Sequence, residues 1–498
     1  MKTKKTFLNL ITDVIPLVIV SLLGIFKVKL FLQVLGTETL GLYQLFSNIM
    51  IYVALVDGGL ASAVLYALYK PNVEKDHKKF NALLAGAFKT FSLIGMTVFA
   101  IAFVVSFFVI FFIKNCSFDY WYIVLTFLLF SLSNVVNYFF VPYNALLEVK
   151  EKKYIFNLTS QIGQITLSIT EIVMLLLGSK FTYILLMHSI IKLGANLVEA
   201  YICKKIFPDI RIRQKEKDFS FKNNLKPLMF HKINGLVSSN IDTLIISTTL
   251  GLNYVAIYST YYYIINMLKN ILGKLSGSMI AIVGNYLVKT KNKIYDLYQE
   301  FNSMLFYIAI IICVPLALAI NSFIDIFYEG EIVTSTMIAL SFVAVMFVFI
   351  IKMDTVLFVN AGGLYVETKY CALTDTIINL ILSLTLVHVF GISGVIMATA
   401  ISAFIAEYIM KTIVVHKKIF EVSANNYFIK NLKFFIVFII DFILGAYLID
   451  QFNIANLFMW FVIFILFTAI NALIVLVIFK LFKEDKFMNR VKILLKRG

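Results

Sequence analysis

The sequence predicts an all-α polytopic membrane protein of about 14 transmembrane helices, arranged as two six-helix lobes plus a C-terminal helix pair. Three observations carry this expectation. First, 61% of the 498 residues are hydrophobic and only 14% are charged, against about 45–50% and about 25% in soluble globular chains. One buried core cannot absorb that excess, so lipid must be the solvent for much of the surface. Second, fourteen apolar stretches approach or exceed the ~20 residues a helix needs to cross hydrocarbon. Third, two polar strings recur at nearly one spacing. NALLEVKEKKY (144–154) and NAGGLYVETKY (360–370) fit N-A-x5-E-x-K-Y, 216 positions apart. LGTETLGLY (from Leu35) and LGLNYVAIY (from Leu250) fit L-G-x3-[LV]-[GA]-x-Y, 215 apart.

The stretches are 9–33, 40–69, 80–113, 120–147, 155–178, 181–205, 228–250, 253–287, 296–328, 332–361, 369–389, 391–416, 431–450 and 455–481. The first has a basic start, MKTKK, like a signal peptide. No small-residue cleavage site follows, and Lys27 and Lys29 come next, so it reads as an uncleaved membrane helix. With the N-terminus inside, the cytoplasmic segments hold 33 Lys and Arg and the outer loops hold two, Lys114 and Lys180. That asymmetry predicts both termini in the cytoplasm. It also assigns the +16 net charge to the inner face and its anionic lipids rather than to nucleic acid.

The echoes fall between helices 1 and 2 and between 7 and 8, and again between 4 and 5 and between 10 and 11. They predict a duplication of six helices. Six is even, so both copies start from the cytoplasm, and the repeats should be parallel, with a site between them. The expected domains are a first lobe at 1–205, a cytoplasmic linker at 206–227, a second lobe at 228–420, and extra helices 13 and 14 with a basic cytoplasmic tail at 421–498. NALLEVKEKKY is thereby expected in a cytoplasmic turn, with its lysines anchoring helix ends.

This topology, together with LGTETLGLYQLFSNIMIYVALVDGGLASAVLYALYKP at 35–71, resembles the multidrug/oligosaccharidyl-lipid/polysaccharide (MOP) exporter superfamily. The polysaccharide branch of Wzx-type flippases is the most similar. The resemblance implies a MATE/MurJ-like, V-shaped, alternating-access transporter of a bacterial cytoplasmic membrane. Its substrate would be an undecaprenyl-diphosphate-linked oligosaccharide for O-antigen, capsule or exopolysaccharide. No cofactor is implied beyond coupling to a sodium or proton gradient. The implied partners are the lipid-linked oligosaccharide, membrane lipids, and polysaccharide polymerase and chain-length proteins.

Ionisable residues deep in a membrane usually face a cavity or one another. Lys192, Lys269, Lys274 and Lys352 lie well inside their stretches. They read either as a cationic cavity for a lipid diphosphate or as snorkelling and paired groups. Lys27 and Lys29 lie near the outer end of helix 1, and the resemblance favours Lys27 as a cavity cation. Asp57, in VDGGLASAV, reads as a cavity acid or as a carboxylate bonded to a freed amide at a packing site. Asp242, Asp375 and Asn379, with Thr399 adding an oxygen, read as a coupling-cation site that the resemblance supports, or as polar glue between helices. Glu407 and Lys411 are spaced as a structural i,i+4 pair. Glu171, Glu199, Asp325 and Asp354 have no assigned role. The tyrosines of YSTYYYIIN (258–266) are expected at the outer interface.

Cys116, Cys203, Cys313 and Cys371 form no CxxC or metal spacing, and the five histidines are scattered. No Walker A, GxSxG or HExxH string is present. These features and the short outer loops count against a membrane glycan-processing enzyme. Two transporter readings compete with the repeat-unit flippase. One is a MATE-like drug/cation antiporter, which should favour acidic cavity groups. The second is a peptidoglycan lipid II flippase, whose substrate is also a diphosphate lipid.

Overall fold

A computed structural model describes residues 2–212, 214–221, 241–289, 294–449, 454, 456–486 and 488. The fold is all helical along the described membrane stretches. Ten helices among the described residues are long and apolar enough to cross a membrane. Most of the stretch expected at 228–250 lies outside the described residues, as does part of the 206–227 linker.

The first two expected stretches are joined by a kink rather than a longer loop. In α1 (Lys2–Val53) two helical segments meet at Gly36, which leaves helical geometry with φ 83° and ψ 166°, and the second segment covers the start of the stretch at 40–69. A residue without Cβ takes that conformation at little cost. Gly251, the matching glycine of the second L-G string, also has positive φ, at 106°. The two strings touch: Thr37 Oγ1 donates to Asn253 Oδ1 at 2.7 Å. Gly41 lies so close to the second string that a Cβ there would fall 2.0 Å from the Leu252 carbonyl oxygen.

The expected helix at 40–69 is also broken. A 3-10 turn at Ala54–Asp57 and two left-handed glycines precede α2 (Leu60–Val73). Next come α3 (His77–Ser106), capped by Asp76, and α4 (Tyr120–Val135), capped by Asp119. A 3-10 turn at Val136–Phe139 interrupts the stretch expected at 120–147, which resumes as α5 (Val141–Val149). Then follow α6 (Lys153–Leu176), α7 (Phe181–Ile206), the described part of α8 at 241–249, α9 (Leu252–Lys289) and α10 (Ile294–Phe327). Helices α11 (Thr336–Ile351) and α12 (Met353–Gly362) meet at Lys352. The last are α13 (Lys369–Phe390), α14 (Ile392–Phe420, with π turns at Phe404–Met410 and His416–Phe420), α15 (Asn425–Ile449) and α16 (Leu457–Leu481). Helix boundaries repeat the spacing of the sequence echoes. Helices α4 and α11 start 216 positions apart and end 216 apart, and α6 and α13 start 216 apart.

The chain divides into two compact units, Ile19–Ala256 and Met1–Val18 with Ile257–Gly498. In the first, Leu68, Phe80, Leu84, Phe91 and Leu147 form part of an apolar core against which Ile212 and Phe221 of the linker are buried. The linker is held to α3 by Asp218 N donating to the Ala82 carbonyl at 3.0 Å. In the second, α15 is docked by polar groups that hydrocarbon would not satisfy. Tyr427 donates to Asp354 at 3.1 Å, and Asn431 bonds both Asn302 and Tyr408. Trp460 of α16 donates to the Ala319 carbonyl at 2.8 Å. Just past α16, burial works against the charge of Glu484, but bonds from Lys430, Lys433 and Ser303 outweigh it and hold its carboxyl below the usual range. Apart from Lys480 in the last turn, the exposed side chains of α16, such as Phe458, Ile465 and Leu473, are apolar, as lipid contact requires.

YSTYYYIIN corrects one expectation. Tyr258 and Tyr261 are buried rather than interfacial: Tyr261 stacks on Phe342 with centroids 5.5 Å apart and donates to Asn321 at 2.7 Å.

Two glycine substitutions test the close approach of the L-G strings. Gly41→Ala is expected to destabilise by about 1–3 kcal/mol, because backbone must move to admit the methyl. Gly24→Ala, with nothing within 4 Å of the new Cβ, is expected to be neutral or slightly stabilising. Thermal unfolding of both variants in one detergent checks the contrast.

Candidate functional site

Within Ile19–Ala256, Lys27 and His188 gather around Glu171 of α6. Its side chain is 2% exposed, and Lys27 of α1 donates to Oε2 at 2.9 Å. His188 Nε2 of α7 contacts the other oxygen, Oε1. Lys27 also lies over the Tyr43 ring, 5.6 Å from its centroid, and Tyr43 meets His188 edge-on. Tyr43 closes the LGTETLGLY string, so that string walls an ionic cluster as well as making the turn at Gly36. Lys192 follows His188 by one helical turn, on the same face of α7. Its ammonium is 3.4 Å from both Ser133 Oγ and Asn134 Oδ1 of α4.

Two cavities, each with polar groups set in a largely apolar lining, adjoin this cluster and share Asn137. One, of about 280 Å³, is lined by Ser47, Asp57, Asn134, Asn137 and Tyr138. Asp57 Oδ1 accepts from Gly59 N at 2.9 Å. Asp57 therefore caps the break in its helix and also faces a cavity. It does not lie in mid-helix, as the stretch at 40–69 had implied. The second cavity, of about 290 Å³, lies among α5, α6 and α7 and includes Lys192, Asn196 and Glu199.

Asn144 corrects a second expectation. It opens NALLEVKEKKY, yet it sits inside α5 rather than in a turn, and it lines the second cavity. With its amide nitrogen turned inward, it donates to the Glu199 carboxylate. Only the later part of the motif forms the turn, with Glu151 at positive φ before α6 begins.

In the second unit, Glu407 bridges two lysines. Lys411, one turn on, contacts Oε1, and Lys352 lies 3.5 Å from Oε2. The expected Glu407–Lys411 pair is therefore part of a triad that includes the candidate cavity cation Lys352. Glu407 sits in the π turn of α14, and Lys352 at the junction of α11 and α12. Lys269 lies over the Phe349 ring, 5.5 Å away and three residues before Lys352. Lys274 is exposed on α9.

Of the candidate coupling-cation residues, Asn379 and Thr399 are brought together, the amide donating at 2.8 Å. Asp375 lies one turn before Asn379 on α13. Asp242 is buried on α8 within the first unit. Among the described residues no group of three or more His, Cys, Asp or Glu is placed to hold a metal ion.

Removing one partner of a buried pair strands the other, at a cost of about 3–5 kcal/mol, whereas replacing both with apolar groups is often neutral. Glu171→Ala is therefore expected to destabilise strongly, and Lys27→Met with Glu171→Met to recover most of that loss. A double-mutant cycle of thermal stability in detergent reads the difference.

No protein-family model matches the chain, and no curated protein matches it in sequence. Solved structures do match it in fold. The lipid II flippase MurJ, in an inward closed conformation, aligns with a TM-score of 0.69 over 94% of this chain and 98% of its own, at 18% identity. An inward-facing multidrug resistance MATE family transporter of the MOP superfamily aligns at 0.62 over 87% and 95%, at 14% identity. The MATE multidrug transporter DinF-BH aligns at 0.59 over 83% and 96%, at 16% identity. The chain thus has the all-α polytopic membrane fold of MurJ and MATE transporters.

Proposed function

We propose that the chain is a transporter of the MOP superfamily that turns a polyprenyl-diphosphate-linked glycan across the cytoplasmic membrane by alternating access, with no covalent step. One observation carries this reading: the charged clusters hold more cations than carboxylates. Glu171 lies beside Lys27, with Lys192 one turn beyond His188, and Glu407 faces both Lys352 and Lys411. Lysines that outnumber the carboxylate they share suit a diphosphate and disfavour a cationic drug.

The resemblance to the polysaccharide branch implies an oligosaccharide repeat unit as the glycan. The likeness to MurJ, itself a lipid II flippase, favours the peptidoglycan precursor, which carries the same lipid diphosphate. Fourteen passes, two parallel six-helix repeats with an added helix pair, and both termini in the cytoplasm belong to this proposal. The repeated helix boundaries and the placement of Lys and Arg support it. Asp375, Asn379 and Thr399, all in the second unit, remain candidates for a coupling sodium ion or proton, supported by the Asn379–Thr399 contact. A drug/cation antiporter is the second reading, favoured by the likeness to MATE transporters.

Complementation separates these readings. In a bacterium depleted of its own lipid II flippase, expression of the chain is expected to restore growth and lower the inner-leaflet precursor pool. Lys352→Ala, at equal protein level, is expected to cut that rescue about tenfold. Rescue only of a strain lacking its repeat-unit flippase would move the substrate to the oligosaccharide. Drug resistance with neither rescue would sink the lipid-diphosphate reading.

A further inference from the structure

We propose that the cavity among α5, α6 and α7 is a sugar subsite, binding the glycosyl ring next to the diphosphate through its hydroxyl and amide groups. This rests on the lipid-diphosphate reading above and adds where the sugar is held. Polar side chains from a turn and three helices converge on this one space. Ser160 and Gln164 lie four apart on α6, and Asn196 and Glu199 lie three apart on α7. Those spacings put each pair on one face of its helix. Asn137 reaches the space from the 3-10 turn and Asn144 from α5. Polar groups inside a membrane protein are costly unless satisfied, so such a convergence calls for an occupant beyond helix packing.

Part of the set is satisfied internally. Asn196 donates to Asn137 Oδ1 at 2.9 Å and to the Lys192 carbonyl at 2.7 Å, and Asn144 meets Glu199. Ser160 and Gln164 have no side-chain hydrogen bond among the described residues, and Gln164 is exposed into the cavity. An amide and a hydroxyl each donate and accept, which matches a sugar hydroxyl that does the same. Glu199 adds an acceptor for hydroxyl or amide N–H groups. Phe156 supplies an apolar wall for the face of a ring, and Gly163 leaves room beside Ala195, whose Cβ would lie 3.0 Å from a Cβ at 163. Lys192 sits at one boundary of the same cavity, where the diphosphate attached to the ring would find a cation. The volume of about 290 Å³ suits one ring rather than a long glycan.

The test compares two lipids on the purified full-length protein in nanodiscs: undecaprenyl diphosphate and undecaprenyl-diphosphate-N-acetylglucosamine. The wild type is expected to bind the glycosylated lipid about tenfold more tightly, as one or two added hydrogen bonds allow. Ser160→Ala with Gln164→Ala removes no hydrogen bond made by either side chain to a described residue. It is expected to abolish that preference while leaving affinity for the bare diphosphate unchanged, which also reports that the variant is folded. Equal binding of both lipids by the wild type, or a preference that survives the double substitution, would overturn the subsite and leave the lipid-diphosphate reading standing. Failure of the wild type to bind either lipid, with binding of a lipophilic cation instead, would overturn both.

Discussion

A charge buried among lipid-facing helices must keep a partner, and that constraint organises the intramembrane polar groups of this protein. Glu171 is nearly inaccessible, and each of its oxygens meets a basic side chain. Glu407 is arranged in the same way between Lys352 and Lys411. In each case the carboxylate joins separate segments: α1 to α6 and α7 in the first, and the α11–α12 junction to α14 in the second. An isolated lysine at these positions would be expensive. Held by a carboxylate, it can stay charged and still be offered to an anion that competes for it.

Several polar groups sit where helices are interrupted. Asp57 caps the break before α2, Asn137 lies in the 3-10 turn between α4 and α5, Lys352 lies between α11 and α12, and Glu407 lies in a π turn. Irregular backbone inside a membrane protein is tolerated where it lines a cavity or is buried in protein. π turns in particular often mark functional positions. The breaks before α2 and at Asn137 border the two cavities of the first unit, so local chain geometry and the candidate site agree there.

Much of the helix order was legible in the sequence, because apolar length is a strong signal and glycines mark the turns. The echo of LGTETLGLY and LGLNYVAIY was informative in a way periodicity alone is not: the matched glycines Gly36 and Gly251 take positive φ, and its two copies touch through Thr37 and Asn253. The breaks inside helices were not legible. Val136–Phe139 and Ile351–Met353 contain no Gly or Pro to announce a break, and Asn137 and Lys352 read as polar residues within apolar runs. Glu171 and His188 were missed because they lie on helices 17 residues apart in sequence, and only the packing of α6 against α7 joins them to Lys27. Asn144 was misplaced because its motif straddles a helix end, so the charged half of NALLEVKEKKY concealed the buried half. A signal was available: Lys192, Asn196 and Glu199 form one helical face on α7, as Ser160 and Gln164 do on α6.

Transport itself is the decisive quantity. Purified protein reconstituted into liposomes, with a fluorescent undecaprenyl-diphosphate glycan in both leaflets and a membrane-impermeant quencher outside, reports movement between leaflets directly. Protein-dependent loss of the protected inner-leaflet fraction is the expected result, together with its suppression by bare undecaprenyl diphosphate as competitor. A protected fraction that persists with folded protein present, under imposed sodium and proton gradients alike, would contradict the assignment of this fold and its lysine clusters to lipid-diphosphate transport.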